Sequence, residues 1–198
     1  MKKFELTTEF ITNALGKKLF RIKALVEFGS VKAGELGGYA EKEENISQDG
    51  NAWVSGDARV YGNAWVSGDA RVSGDARVYG DAWVSDNAKV FGNAEVYGDA
   101  KVSGNAKVYG NAWVSGDAWV SGDADYALVK GFGTEFRCTT FYRDKNKKIM
   151  VNCGCFHGDL EAFRKQVKET RSGKIAKEYL MIADLMEYHF TSEDSSDE

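Results

Sequence analysis

The chain has 198 residues, a formal net charge of −4, three Cys, two His and no Pro. Four of the acids lie in Glu193-Asp194-Ser195-Ser196-Asp197-Glu198, so the remainder is close to neutral, which argues against a nucleic-acid binder with a strong phosphate footprint. An odd Cys count, no apolar run near ~18 residues and no signal-peptide pattern point to a soluble, cytoplasmic protein with no membrane association.

Residues 1–33 read as a small β-rich N-terminal cap. Phe4-Glu5-Leu6, Phe10-Ile11 and Leu19-Phe20-Arg21-Ile22 are short apolar runs, and Gly16-Lys17-Lys18 is a turn candidate. The stretch 34–126 carries the organising signal. Ala recurs at every sixth position from Ala52 to Ala124, and Val two places later from Val54 to Val120. A fixed short period marks a solenoid. Residues two apart on a strand share a side, so Ala and Val point inward. The residue between them (Trp, Arg, Lys or Glu) and the residue after Val (Ser, Tyr or Phe) point outward. Gly followed by Asp or Asn supplies the corner, which makes each hexad a short strand of about four residues and a turn.

Outward columns match best at every eighteenth residue, which implies three hexads per coil. Trp65, Trp83, Lys101 and Trp119 form one column beside Ser67, Ser85, Ser103 and Ser121. Arg59, Arg77, Glu95 and Trp113 form another, beside Tyr61, Tyr79, Tyr97 and Ser115. Leu36 lies 18 residues before Val54, so Gly34–Ala40 reads as a first, degenerate rung in the same register. Glu41-Lys42-Glu43-Glu44-Asn45 then bulges outward as a polar loop, and Ile46 tucks back inside.

After Tyr126 the composition changes. Residues 127–190 read as a ββαα C-terminal domain. Phe136–Tyr142 and Ile149–Cys155 are its strands, joined by the turn Arg143–Lys148. Asp159 N-caps a helix with Leu160, Phe163 and Val167 on one face. Arg171-Ser172-Gly173 ends it. A second helix carries Ile175, Tyr179, Ile182, Met186 and Phe190. Residues 191–198 are an acidic tail expected to be disordered.

The aliphatic residue at Val54 and the small residue four later at Ala58, repeated along the chain, resemble the hexapeptide-repeat, left-handed parallel β-helix family. That resemblance supplies the left hand, which the spacing does not. The Leu36-Gly37-Gly38 element, the polar loop and the run into Asn51-Ala52-Trp53-Val54 resemble hexapeptide-repeat proteins of bacteriophages and prophages. The resemblance implies a phage accessory or host-defence-interfering role with a host protein as partner. Enzymes of the hexapeptide family use His, alone or as zinc ligands, and the repeat here has none. The expectation is therefore a non-enzymatic protein with no cofactor.

The aromatic columns carry the functional expectation. Large rings beside small Ser side chains suit close packing of another flat surface, so Trp65, Trp83, Lys101 and Trp119 are expected to mediate a homo-dimer or trimer. A stabilising ladder without a partner would look similar. Tyr61, Tyr79 and Tyr97 with Arg59 and Arg77 could instead stack a nucleotide-like or sugar-like ligand. Cys138, Cys153, Cys155 and His157 form the one conceivable zinc set, if Cys138 faces Cys153 across the hairpin. Buried thiols and a surface His is the favoured reading of those four. His189 is expected to be partly exposed.

Overall fold

The computed structural model describes residues 1–191, so the acidic tail beyond Thr191 lies outside the described residues. The first two strands, β1 (Phe4–Thr12) and β2 (Lys18–Ala24), form an antiparallel hairpin. Its turn holds because Asn13 Oδ1 accepts from the N–H groups of Leu15 and Lys17, both at 3.0 Å, and Gly16 takes φ +77. Strand β3 (Leu36–Ala40) pairs antiparallel with β2 on one side and parallel with the repeat on the other.

Twelve two-residue strands follow, β4 (Trp53–Val54) to β15 (Trp119–Val120), one per hexad. They are shorter than the sequence suggested because the corner takes four of the six residues. Each from β4 to β12 pairs in parallel with the strand 18 residues on: Trp53 with Arg71, Arg71 with Lys89, Lys89 with Lys107. Three sheets result, in the orders β1-β2-β3-β5-β8-β11-β14, β13-β10-β7-β4 and β15-β12-β9-β6. The chain is a mainly β, β-solenoid protein of about five turns with a small helical part at its C-terminal end. Every repeat Val from Val54 to Val120, and every repeat Ala from Ala52 to Ala118, is buried in one continuous core. A single turn cannot enclose these side chains, so stacking is what removes them from water. Each buried Val contributes about 1.5 kcal/mol on transfer grounds. Outside the repeat, Ala124 is exposed, and the series ends there.

The first rung differs from the expected register. Ala40 pairs with Val60 and Tyr39 with Arg59, an offset of 20 rather than 18, and Leu36 is exposed. Gly38 therefore takes the place of a repeat Ala. The reason is the cap. A β-carbon on Gly37 would stand 2.4 Å from Ile22 Cγ1, and one on Gly38 would stand 2.6 Å from the Ala58 carbonyl oxygen. Ile22 fills the end of the core that Leu36 would have filled. The two extra residues are absorbed after Ile46, which is buried as expected and bridges to Val66.

The C-terminal region holds four strands, not the two expected before its helices: β16 (Tyr126–Phe132), β17 (Arg137–Arg143), β18 (Ile149–Cys153) and β19 (Phe156–Asp159), an antiparallel meander. Tyr126 opens β16, and its ring meets Tyr109 of the repeat edge-on at 6.1 Å. The outer strands escaped notice because β19 follows β18 through a two-residue turn with Gly154 at φ +60, so both lie in one apolar run. Helices α1 (Leu160–Thr170) and α2 (Gly173–Thr191) pack on the sheet. Asp159 caps α1 by accepting from Ala162 N–H at 2.7 Å. Leu160, Phe163 and Val167 are buried as read, as are Ile182, Met186 and Phe190 of α2, whereas Ile175 and Tyr179 are half-buried. Neither described helix is long and apolar enough to cross a membrane.

Candidate interaction surfaces

The β6–β9–β12–β15 sheet aligns Trp65 with Trp83, Trp83 with Lys101 and Lys101 with Trp119 on successive rungs. The pairing is fixed by the Val beside each, because a slip of one residue would turn Val outward. Trp83 is 52% and Trp119 50% exposed, while Trp65 is half-buried. Lys101 lays its ammonium 5.6 Å from the Trp83 ring and 6.0 Å from the Trp119 ring. The cation thus bridges a gap between two π faces, and its methylene stem continues the apolar strip. Trp53 occupies the same hexad position on another sheet but is only 2% exposed. The N-terminal segment covers it, with Phe28 at 5.4 Å and Phe4 at 6.4 Å, both edge-on.

The tyrosines stand on a different sheet, so the two sets of site residues form separate surfaces. Tyr61, Tyr79 and Tyr97 are stacked, with centroids 4.9 and 5.0 Å apart and interplanar angles of 0° and 4°. Glu95 sits at their side. It accepts from Tyr79 Oη at 3.0 Å and pairs with Arg77 at 3.2 Å. Burial and the Glu95 carboxylate both push the Tyr79 phenol well above its ordinary value, and burial does the same to Tyr61. Tyr61 and Tyr79 are therefore neutral, and the Tyr79 hydroxyl is satisfied within the sheet. Arg59 and Arg77 join Tyr61 with Asn13, Ala14 and Leu15 of the hairpin turn around a shallow cavity of about 110 Å³.

The thiols and His157 are not brought together. The β17–β18 register pairs Thr139 with Cys153, one residue away from the expected facing of Cys138 and Cys153. The turn has five residues rather than six. Asp144 N–H donates to Lys148 C=O at 3.0 Å, and Asp144 Oδ1 accepts from Asn146 and Lys148 N–H, both at 2.8 Å. A one-residue shift sends Cys138 and Cys153 to opposite faces. Asn111 of the solenoid approaches Cys138 at 3.8 Å, Thr139 Oγ1 donates to Cys153 Sγ at 3.1 Å, and Cys155 is exposed at a turn. Among the described residues, no group of three or more His, Cys, Asp or Glu could hold a metal ion. His157 is exposed and hydrogen-bonds Asn152 through Nδ1, and His189 is exposed.

Sequence reading missed how the last rung is closed. Thr140 Oγ1 accepts from Trp113 N–H at 3.1 Å, and Asn152 Nδ2 donates to Trp113 C=O at 2.9 Å and to Ser115 Oγ at 3.1 Å. Two side chains of the C-terminal sheet thereby stand in for the next strand. Beside them lies a half-open cleft of about 250 Å³, lined by Trp113, Lys130, Phe136 and Cys138 among others. A second cavity of about 100 Å³ lies between sheet and helices, with Cys153 and Phe163 in its wall.

A family model described as the YdcK beta solenoid repeat matches residues 50–68, 70–86, 100–116 and 106–122. All four matches lie inside the hexad series and mark the chain as similar to that β-solenoid repeat. No curated protein matches the chain.

Proposed function

We propose that this is a non-enzymatic, self-associating interaction protein, a left-handed parallel β-helix with three hexads per coil that seats a second copy on its Trp65–Trp83–Lys101–Trp119 face. The 18-residue pairing offset supports the coil, and the hexapeptide resemblance supports the hand. One observation carries the function. The chain buries Trp53 under its own cap yet leaves Trp83 and Trp119 half exposed on a flat sheet bordered by Ser. Rigid aromatic side chains with small neighbours lose little conformational entropy when a second flat surface covers them. A ligand in the tyrosine column is the weaker reading, because Glu95 already takes the charge of Arg77 and the hydroxyl of Tyr79. A phage-borne role, a host protein partner and a cytoplasmic setting rest on the resemblance and on three free thiols.

Sedimentation velocity tests the face. Wild type is expected to sediment as a dimer or trimer, and a Trp83→Ser/Trp119→Ser variant as a monomer. An unchanged mass in the variant removes this face from the interface.

A further inference from the structure

The cavity under the hairpin turn is lined almost entirely by hydrogen-bond donors. Arg59 and Arg77 are direct partners on neighbouring strands, so they leave the same side of the sheet one rung apart, about 4.8 Å. Tyr61 stands two residues after Arg59 on the same side, and the turn brings Asn13, Ala14 and Leu15 across from the hairpin. The space enclosed is about 110 Å³, room for one small polyatomic ion and not for a nucleotide.

The acids nearby are already engaged. Glu95 pairs with Arg77 at 3.2 Å and accepts from the Tyr79 hydroxyl at 3.0 Å, but bonds neither Arg59 nor Tyr61. Glu41 is taken by Lys17 at 2.8 Å and by Gly62 N–H at 2.7 Å. Among the described residues no carboxylate pairs with the Arg59 guanidinium, and the Tyr61 hydroxyl has no hydrogen-bond partner. Burial keeps that phenol neutral, so it remains a donor. Asn13 adds an orphan of its own. Its Oδ1 is held by the N–H groups of Leu15 and Lys17, both at 3.0 Å, which fixes the way the amide points. Its Nδ2 is left buried with no acceptor. A buried N–H without a partner is costly, and a ligand oxygen would relieve that cost.

Two guanidinium groups, an amide N–H and a phenol O–H thus line one cavity with no acid in its wall. They come from two elements that face each other, so an acceptor between them is approached from more than one side. A carboxylate presents its two oxygens along one edge, whereas a tetrahedral oxyanion presents oxygens all round. We propose that this cavity binds a tetrahedral oxyanion, phosphate or the phosphate group of a small monoester, held by Arg59 and Arg77 and completed by Asn13 Nδ2 and Tyr61 Oη. Only the hydroxyl of Tyr61 takes part, so the stacked faces of the tyrosine column are not used. The site lies on a different sheet from the tryptophan strip, and the failure of either reading leaves the other standing.

The test titrates the full chain with inorganic phosphate by calorimetry at low salt, with chloride as the only other anion. One phosphate per chain should bind, with half-saturation below about 10 mM. Arg59→Gln should weaken it at least about tenfold, because a charge-assisted contact is lost. Asn13→Asp keeps the oxygen that holds the turn and replaces the donor by a repelling carboxylate. It should abolish binding while circular dichroism and thermal melt stay as in wild type. Lys89→Gln, on another sheet, should bind as wild type does. Methyl phosphate, titrated separately, tells the two sources apart: equal binding means a site open to monoesters, and exclusion means one for the free ion, and both support the assignment. Phosphate uptake that never saturates, acetate binding as well as phosphate, indifference to Arg59→Gln or to Asn13→Asp, or an equal loss in Lys89→Gln would each overturn it.

Discussion

At the scale of single residues, burial is sharply divided between one apolar pair per hexad and everything else. Val84 is fully enclosed among other Val and Ala side chains, with no donor or cation for a carboxylate. Val84→Asp is expected to cost ~4 kcal/mol or more, read as a collapse of the thermal transition; a melt within a few degrees of wild type would refute the register. Lys3 is the informative exception, a buried ammonium. Its Nζ donates to the carbonyls of Asp49 (3.4 Å), Gly50 (3.3 Å) and Ala52 (3.1 Å) and lies 4.8 Å from the Phe28 ring. Burial lowers its pKa from 10.5 to about 8, against the opposing pull of Asp49. Below the lower value both folded and unfolded chains carry the proton, and the folded state bears the whole desolvation cost. Between the two values the folded chain has released a proton that the unfolded chain still holds, so stability rises with pH there. Wild type should therefore gain on the order of 2–3 kcal/mol over Lys3→Met across that window, measured by denaturant titration at several pH values. A constant gap would remove Lys3 from the buried end. Nothing in the sequence distinguishes Lys3 from Lys2, because its role depends on where the hairpin sends the N-terminal segment.

At the scale of elements, what could be read in advance was what repeats locally. Val54 and Ala58 announce their sides through strand periodicity, and the placement of Trp65 beside Trp83 follows from the match of outward columns at every eighteenth residue. Asp159 was legible as a helix cap for the same reason: the signal lies within four residues of its effect. Parity was not legible. Whether Cys138 faces Cys153 hangs on a five- rather than six-residue turn, and that is decided by one carboxylate, Asp144, bonding two backbone N–H groups. The first rung failed in the same way, since its register is set by Ile22, which arrives from another element. The closure of the last rung is likewise a meeting of distant residues. Asn152→Leu would take that partner from Trp113 C=O and His157 Nδ1 and leave Ser115 Oγ only the Tyr142 hydroxyl at 3.5 Å, a loss of ~2–3 kcal/mol. The effect should be local. Amides at 113–120 are expected to exchange faster with deuterium while those at 53–66 keep their protection. Uniform loosening along the body would contradict the assignment of Asn152 as the closing group.

At the scale of the whole molecule, the solenoid is a stack whose turns touch only their neighbours, with different closures at the two ends. The seven-stranded sheet runs from the N-terminal hairpin through to β14, so the hairpin and the repeat form one hydrogen-bonded unit. The C-terminal sheet instead joins by side chains, a single bridge between Ala118 and Asp144, and the Lys145–Asp117 ion pair at 3.1 Å. Outer surfaces are left to do other work. Two of them, the Trp83–Lys101–Trp119 strip and the outward stripe of α2 at Met181, Leu185 and Tyr188, are apolar and uncovered among the described residues.

The constant offset of 18 residues between paired strands has a further consequence. Because a second copy inserted after Ala88 leaves each closure the neighbours it now has, duplicating residues 71–88 should give a protein that folds as before and is longer by about 4.8 Å, detectable by small-angle scattering. A duplication that is not a multiple of that offset would present the closing residues with the wrong side of the body. Overall span is thus a stepwise quantity, set by how many whole copies of one module the gene carries, and it could be reset without redesigning either terminus.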